Sequence, residues 1–286
     1  MTRRSFRTRD GCRVNYVDEG HGHGHGHGDG EGEGLPVLWQ HGLGATQAQV
    51  AEVFPESSRL RRISMECRGH ADSELGAPEA LSIPQFADDA IALLDHLGVR
   101  RVVVGGISLG AAIALRLAVH YPERVSRQII ARPAWIDERA PERLRIYLDV
   151  AELLAQHGPE QGLERLQASE RYQLVLRESP DNAASMRSFF HREPASTVAL
   201  LSRIPAQGAG VTREQMSRLA LPTLVIANEG DYVHPIATAA VVAGLIPGAQ
   251  LKIIPSKNAT RGAYIAAFKA ALEEFLSERQ WLTLQA

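Results

Sequence analysis

Cysteine is scarce in this chain. Its 286 residues include only Cys12 and Cys67, far apart and outside any C-x-x-C pattern. That excludes a disulfide scaffold, argues against a structural zinc site, and fits a reducing compartment. A surplus of charge is missing too: 31 Lys and Arg face 33 Asp and Glu, for a formal net charge of −2. No basic excess points to nucleic acid or to an anionic membrane. Long hydrophobic runs are absent. The most apolar stretch, Val102 to Leu115, is shorter than the ~20 residues of a spanning helix and is broken by glycines. The N-terminus carries arginines with no apolar stretch after them, so no secretory signal is expected and the chain reads as cytoplasmic. What remains is ordinary globular composition, 44% hydrophobic and 22% charged, which excludes a disordered or fibrous protein. At about 150 residues per domain, the length suits one large domain or a core with an insertion.

One segment is of low complexity, His21 to Gly34, in which glycine alternates with histidine and then with acidic residues. Glycine at every second position removes the side chains a core needs. It lies between two expected strands, Arg13–Val17 and Pro36–Gln40, and so reads as a long hairpin loop. Its imidazoles imply no rigid ligand geometry, and no metal site is assigned. Beyond it, strands and helices alternate. Strands are expected at Arg59–Met65, Arg101–Val104, Val125–Ala131, Leu221–Ala227 and Gln250–Ile254. Helices are expected at Ile83–Leu97, Leu109–His120, Ile236–Leu245 and Tyr264–Leu276. This alternation predicts an α/β protein with a mainly parallel central sheet flanked by helices. Residues 133–219 break the rhythm with helical patterns at Pro141–His157, Pro159–Arg177, Asp181–His191 and Pro194–Ile204. They read as a helical lid inserted into a core made of residues 1–132 and 220–286, the other reading being a separate helical domain.

Three motifs carry chemistry. Gly106-Ile-Ser-Leu-Gly110 follows an apolar strand and opens a helix. In such a turn, small residues two before and two after the serine let the chain bend sharply and expose the Ser108 hydroxyl. The helix that follows favours negative charge developing at its N-terminus. His41-Gly-Leu-Gly44 follows another strand. Its glycines let backbone amides face a cleft, so the Leu43 and Leu109 N–H groups would form an oxyanion hole, with His41 bracing the loop. In Asn228-Glu-Gly-Asp-Tyr-Val-His-Pro235, Asp231 stands at a strand's carboxyl end, on the same rim as the serine. Arg132 and Trp135 follow the strand Val125–Ala131. A permanently charged guanidinium there suits a substrate carboxylate, the alternative being a salt bridge to the lid, while Trp135 would line the pocket and Tyr232 would add a hydroxyl.

These motifs resemble the α/β-hydrolase superfamily over nearly the whole chain. Glu66-Cys-Arg-Gly-His-Ala-Asp-Ser73 looks like the family's D-x-R-G-H-G-x-S loop, and His120-Tyr-Pro-Glu-Arg-Val125 like the segment after its nucleophile helix. The resemblance implies a serine nucleophile at Ser108, an acid at Asp231, a histidine after the last strand, and a lid. The histidine is the departure. Where the family reads I-P-x-x-G-H, this chain reads Ile254-Pro-Ser-Lys-Asn-Ala259, and no histidine follows His234. A serine is a poor nucleophile unless a base takes its proton. His234, three residues past Asp231, is the first candidate; Lys257 and the lid's His191 are the others. Two functions follow. One is an enzyme acting on a small ester, lactone, thioester or C–C bond, with a lyase or isomerase variant included. The other is a non-catalytic binding protein that retains the fold. The partner is a small molecule in either case, with a carboxylate if Arg132 meets it, and no cofactor is implied. An exposed apolar lid face would serve equally as pocket wall or as a homo-oligomer interface.

Overall fold

The computed structural model describes residues 3–20 and 34–277; residues 21–33 of the His-Gly repeat lie outside them. Among the described residues, eight strands form one sheet: β1 (Arg4–Arg7), β2 (Arg13–Glu19), β3 (Leu35–Gln40), β4 (Leu60–Met65), β5 (Val102–Ile107), β6 (Val125–Ala131), β7 (Thr223–Asn228) and β8 (Gln250–Ile254). Their spatial order is β1-β2-β4-β3-β5-β6-β7-β8. The first two pairings are antiparallel and all the rest parallel.

Period-two alternation sends neighbouring strand residues into two different cores. Val102 and Val104 of β5, with Val225 and Ala227 of β7, face α2 (Ile83–His96), α3 (Leu109–His120) and α9 (Ile236–Leu245). Val103, Leu224 and Ile226 face α1 (Gln47–Val53) and α10 (Arg261–Ser277) on the other side. Both faces are covered, as the near-continuous apolar strands require. Local chemistry sets the helix ends. Ser82 caps α2 by accepting from the Gln85 N–H, and Gly98 beyond its end takes φ +68°.

Between β6 and β7 the chain makes only helices: α4 (Arg145–Ala168), α5 (Glu170–Glu178), α6 (Pro180–Ser188), α7 (Pro194–Arg203) and α8 (Arg213–Ser217). The break expected at Gly158-Pro159 is a kink inside α4, where Gly158 holds φ +71°. Tyr147, Leu154, Phe190 and Leu200 of this insertion share one apolar cluster with α2 and α3. Three elements escaped the sequence pattern, among them the five-residue α8 with its Thr212 cap. β1 buries only Phe6 and so shows no alternation worth reading, and α1 is seven residues long and capped by Thr46. No helix among the described residues is long and apolar enough to cross a membrane.

Candidate active site

The site is assembled at the carboxyl ends of three adjacent strands, β5, β6 and β7, which deliver Ser108, Arg132 and Asp231 respectively. Ser108 stands between β5 and α3 at φ +57°, ψ −106°, a backbone strain of about 1–3 kcal/mol for a residue with a side chain. The flanking glycines make that turn feasible. A methyl group at Gly106 would lie 2.5 Å from the Gln40 carbonyl oxygen, and one at Gly110 only 2.2 Å from the same atom. β3 therefore packs directly against the elbow, and no larger residue fits at either position.

His234 meets the serine. Its Nε2 lies 2.8 Å from the Ser108 Oγ, while its Nδ1 is 3.0 Å from both Asp231 carboxylate oxygens. A carboxylate only accepts, so Nδ1 carries the proton and Nε2 presents its lone pair to the serine hydroxyl. Asp231 Oδ1 also accepts the His234 backbone N–H at 3.1 Å, closing a tight local turn. Burial lowers the His234 pKa more strongly than the neighbouring carboxylate raises it, so the ring is neutral at pH 7.

Arg132 is not free to meet a substrate. Its Nε and Nη2 each lie 2.7 Å from Asp231 Oδ2, and both residues are buried. Burial alone would raise the Asp231 pKa; the guanidinium, and then His234, hold it well below the usual carboxylate range instead. The expected carboxylate contact is thus replaced by a brace on the Asp231 carboxylate. Tyr232 is half-buried beside Asp231; burial raises its pKa, and the charges acting on it come from Arg171, Glu178 and Glu142 of the insertion. Trp135 is 4% exposed in the apolar cluster that joins insertion and sheet, and its indole N–H has no hydrogen-bond partner among the described residues. Neither alternative base is placed for the role: Lys257 is ion-paired with Asp181 at 2.8 Å, and His191 is exposed on the turn after α6.

The loop after β3 lies against the elbow, since a methyl at Gly42 would sit 3.5 Å from the Ile107 carbonyl oxygen. Both polar backbone groups of Gly42 are tied down. Its N–H donates to Gln49 Oε1 at 2.8 Å, and its carbonyl accepts from Ala45 N–H at 2.9 Å and from His41 Nδ1 at 2.8 Å. The Leu43 and Leu109 N–H groups donate to no described residue. Leu109 opens α3, so its amide has no acceptor within the helix. His41 braces this loop: Cys67 N–H donates to its Nε2 at 3.1 Å, which fixes the tautomer that donates to Gly42.

His70 lies tilted against His41, with ring centroids 4.7 Å apart, and its Nδ1 donates to the Arg68 carbonyl at 3.0 Å. Burial pushes His41 down to about 4 and His70, with the help of its neighbour's charge, down to about 3. The unfolded chain protonates both near pH 6.5, so between pH 6.5 and 4 it binds protons that the folded chain refuses. Stability falls as pH drops through that window, by up to about 1.4 kcal/mol per pH unit for each histidine. Urea unfolding across pH 4–7 is expected to show this slope, and His70→Phe to flatten it. An unchanged slope in that variant would remove His70 as its source.

A family model described as the alpha/beta hydrolase fold matches residues 36–258. Among similar proteins, 2-hydroxymuconate semialdehyde hydrolase of Pseudomonas sp. (strain CF600) is 27% identical over 85% of this chain and 87% of its own length. The 3-oxoadipate enol-lactonase 2 of Acinetobacter baylyi is 29% identical over 74% of this chain and 76% of its own. Among solved structures, the enol-lactonase of Burkholderia xenovorans LB400 superposes with a TM-score of 0.73 at 22% identity, over 96% of this chain and all of that one, and so shares the fold.

Proposed function

The chain belongs to the α/β-hydrolase family and is an enzyme of that type, and from this premise we propose that it hydrolyses a small ester or lactone through Ser108, with His234 as the base. One observation carries the reading: the Ser108 Oγ lies 2.8 Å from a histidine nitrogen whose other nitrogen is anchored on a buried carboxylate. Ser108 Oγ attacks the substrate's carbonyl carbon as its proton passes to His234 Nε2. The new imidazolium is stabilised by Asp231, which stays ionised because Arg132 faces it. The tetrahedral oxyanion takes the Leu43 and Leu109 N–H groups, both free to donate and both fixed before the reaction starts. His234 then protonates the departing alkoxide. In the second half-reaction it activates the water that releases the acid from Ser108.

The helical insertion acts as a lid, and Trp135 at its root lines the pocket and offers its indole N–H to the substrate. Two relatives bear the names of a semialdehyde hydrolase and an enol-lactonase, which supports a small carbonyl substrate over a polymer. A non-catalytic role rested on the histidine missing after β8; His234 in contact with Ser108 supports catalysis instead. The test is labelling with a serine-directed fluorophosphonate. The parent enzyme is expected to form one adduct on the peptide containing Ser108, and Ser108→Ala to form none. A parent protein that takes no label would turn the reading toward binding without catalysis.

A further inference from the structure

The loop that carries Asp231 and His234 is held from outside by two asparagines. Asn182, on α6 of the insertion and 4% exposed, accepts the Val233 N–H on its Oδ1 at 2.9 Å. Asn258, in the loop after β8, donates its Nδ2–H to the Gly230 carbonyl at 2.8 Å. The loop after β8 also grips α6 itself. Asn258 Oδ1 accepts the Asp181 N–H at 2.7 Å, and Lys257 pairs with the Asp181 carboxylate at 2.8 Å. The stretch in which the expected histidine is missing is therefore a clasp on the insertion, and the insertion in turn grips the residue before the actual histidine.

The loop has little other freedom. Asp231 is pinned by Arg132, and it holds the His234 N–H through its own side chain. The span left to be fixed is Tyr232–Val233, and a rotation there swings the imidazole relative to Ser108. The Val233 amide is buried, so without Asn182 it would be an unpaired donor. We propose that Asn182 is a positioning residue for His234, so that the seated lid both covers the site and places the base. The inference rests on the Ser108–His234–Asp231 reading above. When α6 lifts, Val233 loses its acceptor, the loop relaxes, and the base leaves hydrogen-bonding distance of the serine. A displacement of about 1 Å in a catalytic group is enough to cost a hundredfold in rate.

The test uses the full chain and two readouts. The first is the downfield proton NMR signal of the His234 Nδ1–H, assigned by its loss in His234→Gln. The second is the kcat and KM for a chromogenic ester. Asn182→Ala is expected to shift or broaden that signal and to lower kcat about ten- to a hundredfold with little change in KM. Asn182→Asp keeps an acceptor oxygen and is expected to recover both. Lys257→Ala, which loosens the clasp from its other end, is expected to move both readouts in the same direction by less, and it keeps the proposal testable if Asn182→Ala does not fold. Arg187→Ala is the control: it removes a 2.6 Å hydrogen bond to Tyr172 within the insertion and is expected to leave the signal in place. An Asn182→Ala protein with the parent's signal and kcat overturns the inference alone. A parent protein without the signal overturns the triad, and the inference with it.

Discussion

Replacing His234 with alanine is expected to lower kcat on the order of 10⁴-fold, with KM for a small ester little changed. Nothing nearby takes over. Lys257 is committed to Asp181, His191 is on the surface, and His41 has both nitrogens occupied, by the Gly42 carbonyl and the Cys67 N–H. The pH profile gives the same residue a second signature. The neutral imidazole is the working form, and burial keeps its pKa below the ordinary histidine value of about 6.5. Activity of the parent enzyme is thus expected to persist below pH 6.5 and to fall only as pH passes down through that lowered pKa. The residual activity of the variant should lack this acid limb. Steady-state rates for the two proteins between pH 4 and 8 decide the matter. A variant with most of its activity and the same acid limb would mean that the base is another group.

Arg132→Met is expected to destabilise the fold by about 3–5 kcal/mol, the usual consequence of removing one partner from a buried ion pair. Methionine fills most of the space, so the loss is mainly electrostatic. Asp231 is left as a carboxylate in the protein interior, with only a neutral imidazole and an amide facing it. Its pKa then climbs from a strongly depressed value, because burial, outweighed in the parent by the guanidinium and His234 together, is now opposed by His234 alone. The sign of the pH effect follows. In the parent, the paired carboxylate adds stability that is present above about pH 4 and is lost as pH falls below it. In the variant, protonation of Asp231 relieves the unpaired charge, so the deficit should shrink as pH is lowered from 7 toward 5. The double variant Arg132→Met, Asp231→Asn is expected to regain much of the stability and none of the activity. Urea unfolding at the two pH values separates these cases. A single variant as stable as the parent would show that the ion pair does not hold the acid.

The architecture was legible because it is written in local patterns. Apolar triplets such as Val102–Val104, the helical period of Ile83–Leu97 and the glycine-framed serine each act over a few residues, and the alternation of elements extends them to a sheet. The elbow glycines were readable for the same reason, although the Gln40 carbonyl that demands them lies on another strand. His234 was legible as a candidate only from its closeness to Asp231. Its contact with Ser108 spans 126 positions and carries no local signal. Arg132 was misread because an arginine at a strand's carboxyl end suits a substrate carboxylate and a protein carboxylate equally. Which one it meets is decided by β6 lying next to β7 in the sheet. Asn182 and Asn258 gave no sign at all, since an asparagine in a helix or loop is unremarkable until an orphan amide or carbonyl is brought against it.

The sequence by itself determined a sheet covered on both faces, a helical insertion, and a serine held on a strained turn, since short-range sterics and hydrophobic periodicity decide these. Only the tertiary structure decided which histidine reaches that serine, what the arginine neutralises, and which parts of the insertion grip the loop between them. Those outcomes depend on distances between groups far apart in the chain. Hydrogen bonds and ion pairs form or fail within about 1 Å, a precision that only the packing of neighbouring strands and helices supplies.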